Sequence, residues 1–306
     1  MTTPPRWHLR AGSQTAPAPF SLLVTPATAG WTYAGLGVID LAPGGRASVS
    51  TGPAEALVLP LRGGCEVSVE ATTLSLHGRV GVFTGVSDFA YLPRESTTTV
   101  YSEGGGSFAL PSAVCDRKLP FRYGPSADVP VELRGAGRAS RQVNNFCTPD
   151  AFEADALIAC EVLTPSGNWS SYPPHKHDQE RPGESVLEEI YYFVVADGPT
   201  GAGIGYQRVY GHEHADIDLL AEVRDGDAIL IPHGWHGPSM AVPGYDLYYL
   251  NVMAGPGPER AWRICDDPAH TWIRDSWADE PIDSRLPMTS ARVDESMASA
   301  PVRAHP

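Results

Sequence analysis

Residues 172–195 read YPPHKHDQERPGESVLEEIYYFVV, and further along residues 226–238 read GDAILIPHGWHGP. His175 and His177 are two apart, so an extended strand sends both imidazoles from one face. Glu189 heads an apolar, β-rich run at 190–195, and His236 closes another. Three imidazoles and a carboxylate brought together by antiparallel strands make a borderline-soft N/O ligand set. Such a set suits a first-row divalent ion: zinc, iron or manganese.

The rest of the chain has the composition of a scaffold for these two stretches. At 306 residues and 42% apolar content it can bury a substantial core. Its 31 glycines and 29 prolines fall between short runs rich in Val, Leu, Tyr and Thr, which predicts many short strands joined by turns and little helix. In the first half such runs lie at 20–25, 37–41, 47–50, 56–61, 65–69, 80–83, 89–92, 97–101 and 107–111, with turns at Pro43-Gly44-Gly45 and Arg62-Gly63-Gly64. That spacing is the pattern of an all-β sandwich or barrel.

The pattern loosens at 116–136, read as a linker, and then restarts at 141–146, 156–163, 189–195, 203–210, 228–231 and 247–253. One short helix is expected at 150–156, behind Thr148-Pro149. The expected division is a first barrel at 8–125, a second at 126–285 that carries the metal ligands, and a tail at 286–306 that is disordered or draped. The halves overlay in strand order, residues 55–69 on EEIYYFVV. Where the second half has its HxH pair, the first has Ser48 and Ser50. A duplicated β-domain with chemistry in one copy only is the economical reading.

The formal charge of -14 and a pI near 5.1 oppose binding to nucleic acid or an anionic membrane surface. No run of apolar residues is long enough for a membrane-spanning helix or a signal sequence, so a cytoplasmic protein is expected. The five cysteines, Cys65, Cys115, Cys147, Cys160 and Cys265, have no CxxC spacing and an odd total, and read as free thiols.

HxH on a strand, then a glutamate, then Gly226, Pro232, Gly234 and His236 in G-x5-P-x-G-x-H spacing, resembles the two motifs of the cupin superfamily. That resemblance implies jelly-roll barrels. It also selects Glu189 over Glu188, through the pattern Glu189-Ile190-Tyr191-Tyr192. The motif departs from its usual form, because Glu189 follows His177 by twelve residues instead of four or five. The segment between is therefore read as a loop inserted at the mouth of the site.

Over almost its full length the chain resembles the bacterial 5-deoxy-glucuronate isomerases of myo-inositol catabolism, a bicupin family related to the 4-deoxy-5-ketouronate isomerases of pectin breakdown. The carriers are ALVLPLRGGCEV, GRVGVFTGVSDFAYLP, GAGRASRQVNNF, YPPHKHD, EEIYYF, IPHGWHGPS and YYLNVMAGP. The resemblance implies an aldose–ketose isomerase whose single divalent ion is held by His175, His177, Glu189 and His236. Zinc is the ion it favours, with manganese and iron as alternatives. It further implies a small sugar-acid substrate whose carboxylate pairs with Arg141 or Arg208.

Three other readings share the ligand set: a deoxy-ketouronate isomerase, an Fe(II) cupin dioxygenase and a sugar-binding cupin without activity. Tyr192, Tyr206, Glu188 and Asp178 are chemically able to carry a proton, and no catalytic residue is chosen among them. Lys176 is read as pointing away from the metal into a surface ion pair, and His212, His214 and His233 as lying outside the ligand set. Exposed strand edges permit a homo-oligomer.

Overall fold

The structure, a computed structural model, describes residues 7–13 and 16–290. Two curled β-structures stand back to back, and their facing sheets share a core. The first half contributes a nine-stranded sheet whose central run is Phe89–Leu92, Ala54–Val69, Gly106–Val114, Ala34–Leu41 and Phe20–Val24. The second half contributes seven- and six-stranded sheets. The larger places Ala228–Ile231, Glu188–Val195, Leu247–Ala254, Ile158–Thr164 and Arg141–Cys147 side by side. Helix is confined to short pieces such as Pro26–Ala29 and Trp272–Ser276. The all-β, two-barrel architecture expected from the turn spacing holds.

Strand alternation sorts the side chains. Along Glu188–Val195, Ile190 and Tyr192 face the other half and join a core cluster with Leu36, Leu57 and Leu59. Tyr191 and Phe193 point instead into the second barrel, with Val209, Ile229 and Tyr249. The first barrel's own interior packs Ala56, Val58, Val100, Phe108 and Leu110 into one apolar cluster.

Two carboxylates, Glu188 half-buried and Glu55 fully buried, lock the halves together. Glu188 accepts hydrogen bonds from the backbone N–H groups of Thr32, Tyr33 and Ala34 at 2.7, 2.7 and 2.8 Å. Glu55 of the first half does the same for Asp155, Ala156 and Leu157 of the second, with contacts between 2.6 and 3.0 Å. Glu55 pairs across its sheet with Ala113 as Glu188 does with Ala254, so the two clamps occupy matching positions of the duplicated strand. A third link is fully enclosed: the Arg79 guanidinium meets the Glu161 carboxylate, which also accepts from the Tyr248 hydroxyl at 2.8 Å and the Asn144 amide at 3.0 Å.

Several expectations change. No helix forms at 150–156, where the chain makes turns, because Glu55 takes the N–H groups of residues 155–157. Val131–Arg134, inside the expected linker, is a strand paired with Arg141–Cys147. His8–Leu9 pairs with Ala228–Ile231, so the first described strand belongs to the second half's sheet, where His8 Nε2 lies 2.9 Å from Asp227. In Gly45–Ser50 the inward residues are Ala47 and Val49, not Ser48 and Ser50. Of the tail, Thr289 is buried and its N–H donates to Gln142 Oε1 at 3.0 Å, and residues 291–306 lie outside the described residues. All five cysteines are free, four of them buried.

Glu55→Ala leaves three backbone N–H groups, one buried and two partly buried, without their carboxylate partner, so it should destabilise the protein by about 3 kcal/mol. Chemical denaturation of the variant checks this. Bound metal should be unaffected, and a loss of stability below about 1 kcal/mol would remove Glu55 as a clamp.

Candidate metal centre

The extended backbone at His175–Lys176 pairs on one side with Trp235–Ala241, setting His175 opposite His236. On the other side it pairs with Cys265–Asp266. The strand that carries His236 needs Gly237, whose φ is +105° and where a Cβ would lie 1.7 Å from the Ser171 carbonyl oxygen. Glu189 reaches the same interior from the Glu188–Val195 strand.

Ligand atoms of His177, Glu189 and His236 lie within 4.8 Å of one another, and all three residues are buried. The Nε2 atoms of His177 and His236 are each 3.0 Å from Glu189 Oε2. His175 stands alongside: its ring centroid is 4.4 Å from that of His236 and 6.3 Å from that of His177, and its donor atom falls outside the tight group. The structure thus clusters three of the four expected ligands and sets the fourth next to them, facing the cavity.

This donor set fits a metal ion. Nδ1 of His177 lies 3.1 Å from the Leu187 carbonyl oxygen, that of His236 3.2 Å from Gly234 O, and that of His175 3.4 Å from Pro173 O. A carbonyl only accepts, so each Nδ1 carries the proton and each Nε2 presents its lone pair inward. A lone pair held 3.0 Å from a carboxylate oxygen calls for positive charge between them. His236 Nε2 is moreover buried with no aligned hydrogen-bond partner, although the carboxylate is near. Ligands bound at about 2.1 Å and at right angles would be about 3 Å apart.

The electrostatics agree. Burial works to raise the Glu189 carboxyl, but positive charge on the His236 and His177 rings outweighs it and holds it at about 2, and the same carboxylate raises His177, so protons are drawn to the place where an ion would otherwise supply the charge. Burial, reinforced by the two other imidazoles, drives His175 well below the usual histidine range and keeps it neutral. The second oxygen of Glu189 accepts from the Asn251 side-chain amide, which leaves Oε2 for the cluster. In the first barrel Ala56 stands at the place of Glu189 and Leu110 at that of Asn251, so both polar groups are absent together.

A cavity of about 220 Å³ opens beside the cluster, lined among others by His175, Arg141, Tyr191, Tyr249, Ser171 and Asn251. Arg141 is buried, at 5% exposure, and its guanidinium donates to the Ala139 carbonyl oxygen at 3.0 Å. Burial, with Arg134 and Arg274 adding to it, pushes this guanidinium down to about 10. Arg208 is elsewhere: it pairs with Asp218 on a half-exposed face and stacks 5.2 Å from Tyr210. The structure therefore separates the two arginines that the sequence joined.

None of the four residues weighed as proton carriers lines this cavity. Glu188 clamps the first half and Tyr192 faces the cavity between the halves. Asp178 is bound by Lys176 Nζ, His212 and the Gly234 N–H. Lys176 points away from the metal cluster, as expected, but not into a surface pair: it is buried, with Asp178 and Glu184 each at 2.6 Å. That pair pins the inserted segment, which folds into a hairpin of Asp178–Arg181 and Glu184–Val186. His212 braces Asp178 at 2.7 Å, and His233 keeps a buried, unpartnered Nε2 outside the cluster. Arg134, Arg274 and Trp262, which also line the cavity, were not legible in the sequence because they come from an edge strand, a one-turn helix and a loop without motif spacing.

Comparison with known proteins gives a consistent picture. The family model described as KduI/IolB matches residues 8–273. The chain is 41% identical to the 5-deoxy-glucuronate isomerase of Geobacillus kaustophilus over 256 residues, 83% of this chain and 90% of that protein. It is 35% identical to the 5-deoxy-glucuronate isomerase of Bacillus subtilis strain 168, over 82% of this chain and 91% of that protein. The crystal structure of an IolB-like protein from Salmonella typhimurium superposes with a TM-score of 0.79 at 32% identity, covering 87% of this chain and 98% of the other. An oxalate decarboxylase from Lactobacillus farciminis shares the fold alone, with a TM-score of 0.59 at 12% identity over 87% of this chain and 90% of the other. No helix among the described residues is long and apolar enough to cross a membrane.

If Asn251 sets the orientation of Glu189, Asn251→Leu should weaken metal binding by about 10- to 100-fold while the protein stays folded. Competition with a chromophoric chelator measures it. An unchanged affinity would leave Asn251 as packing only.

Proposed function

Because the chain belongs to the KduI/IolB family, we propose that it is a metal-dependent aldose–ketose isomerase converting 5-deoxy-D-glucuronate to 5-dehydro-2-deoxy-D-gluconate, in the cytoplasm and in myo-inositol catabolism. Its ion is zinc, held by His177, Glu189 and His236 with His175 as the fourth ligand. The observation that carries the reading is the inward-facing Nε2 atoms around one carboxylate oxygen, at the wall of a cavity that also holds a buried arginine.

Held by His177, Glu189 and His236 with His175 beside them, a divalent ion would supply Lewis acidity toward the carbonyl and hydroxyl oxygens of a sugar. The chain's own residues supply the rest. The Nδ1 contacts to Leu187, Gly234 and Pro173 fix the imidazole tautomers, so no proton competes for the lone pairs. Arg141 takes the sugar's carboxylate, and Arg208 has no part in binding. Tyr191 and Tyr249, stacked at 4.8 Å, give the cavity an aromatic wall beside the reacting carbons. Relatives at 35–41% identity carry the 5-deoxy-glucuronate name, which favours that substrate over a pectin-derived deoxy-ketouronate.

Purified protein should turn over 5-deoxy-glucuronate, lose the activity when a chelator strips the ion, and regain it on adding zinc. His236→Ala should lose metal and at least about 1,000-fold in activity together. Turnover that survives complete metal removal sinks the metal mechanism. Holoenzyme inactive on 5-deoxy-glucuronate but active on the deoxy-ketouronate, or consuming oxygen, sinks the assigned reaction.

A further inference from the structure

Every charged side chain lining the cavity is an arginine: Arg134, Arg141 and Arg274. Two of the three are already paired. Arg134 forks onto Glu132 at 2.8 and 2.7 Å, and Arg274 forks onto Asp266. Arg141 makes no ion pair among the described residues, and its recorded hydrogen bond, to Ala139, uses one of five N–H donors. Three guanidiniums against two carboxylates leave one positive charge, and it resides on the most buried of the three.

The arginines are held by aromatic rings. Trp277 lies between two of them, with its ring centroid 5.7 Å from the Arg141 guanidinium carbon and 5.1 Å from that of Arg274. Trp262 sits 5.6 Å from that of Arg134, and its buried indole N–H has no hydrogen-bond partner. Cation–π packing of this kind favours a charged guanidinium and restricts its rotation without using its N–H donors. An unpaired buried cation is costly unless an anion completes it.

We infer that Arg134, Arg141 and Arg274, held by Trp262 and Trp277, form a carboxylate subsite that admits one singly charged end group and orients a uronic acid with that end away from the metal cluster. The inference deepens the isomerase reading and rests on it for the class of substrate. The subsite accepts the carboxylate through Arg141, with Arg274 as the second donor. Trp277 is a positioning residue, acting only through the two guanidiniums. The segment 260–279 thereby becomes the specificity wall of the pocket, since it supplies Trp262, Arg274 and Trp277. Asp266, which restrains Arg274, pairs with the strand of His175, so wall and metal cluster are built on one sheet.

The test is direct binding, so it does not depend on turnover. Titrating the metal-loaded protein with D-glucuronate and with its methyl ester compares two ligands that differ in the end-group charge. The wild type should prefer the acid by about tenfold or more, and Arg141→Gln should abolish the preference. Arg274→Gln, at a more exposed position and so safer for folding, should reduce it several-fold. Trp277→Leu should raise KM for 5-deoxy-glucuronate with kcat little changed, and Trp277→Phe should restore it. A wild type that does not distinguish the two ligands, including one that binds neither, overturns the subsite. So does a preference that survives both arginine substitutions. An intact preference in a protein that does not isomerise 5-deoxy-glucuronate supports the subsite and removes only the isomerase reading.

Discussion

Two consecutive glutamates on one strand carry opposite duties. Because side chains alternate across a β-sheet, Glu188 points to the neighbouring barrel and Glu189 into its own. The first takes three backbone N–H groups of the other half, and the second gathers the imidazoles. A slip of register by one residue would exchange them, burying a carboxylate against the shared core and leaving the imidazole cluster without its carboxylate. That register is held by unbroken pairing of Glu188–Val195 with Leu247–Ala254, where Tyr191 opposes Asn251 and Glu189 opposes Met253.

The same constraint explains how the duplicated halves differ. Glu55 keeps the clamp, so the first barrel still holds the second from its side. The next residue is Ala56, and the position matching Asn251 is Leu110, both buried in an apolar interior. With those two polar groups gone, an ion there would have no carboxylate and no orienting amide. The first barrel presents one face against which the second is held.

The barrel class was legible because glycine and proline punctuate runs of strand length, and the ligand set because HxH and the G-x5-P-x-G-x-H spacing dictate which face a histidine takes. The choice of Glu189 over Glu188 came from family resemblance, and strand alternation places the two apart as described. What escaped the sequence were interactions made at long range. Nothing local reveals that Glu55 removes the hydrogen bonds a helix at 150–156 would need, or that Lys176 is enclosed by Asp178 and Glu184. Arg208 and Arg141 look alike in one dimension. Only the tertiary structure gives one an aspartate on a half-exposed face and leaves the other unpaired in a cavity. The inserted hairpin, read as a loop over the substrate, is pinned through Glu184 rather than left free.

The proposed isomerisation requires a single ion in the second barrel. Anomalous diffraction from crystals of the purified protein, collected on both sides of the metal's absorption edge, tests that directly. One peak bonded to His177, Glu189 and His236, with His175 completing the set and no peak in the first barrel, is the result expected. No peak at that cluster in protein carrying full activity, or a peak among the apolar residues around Ala56, would contradict it.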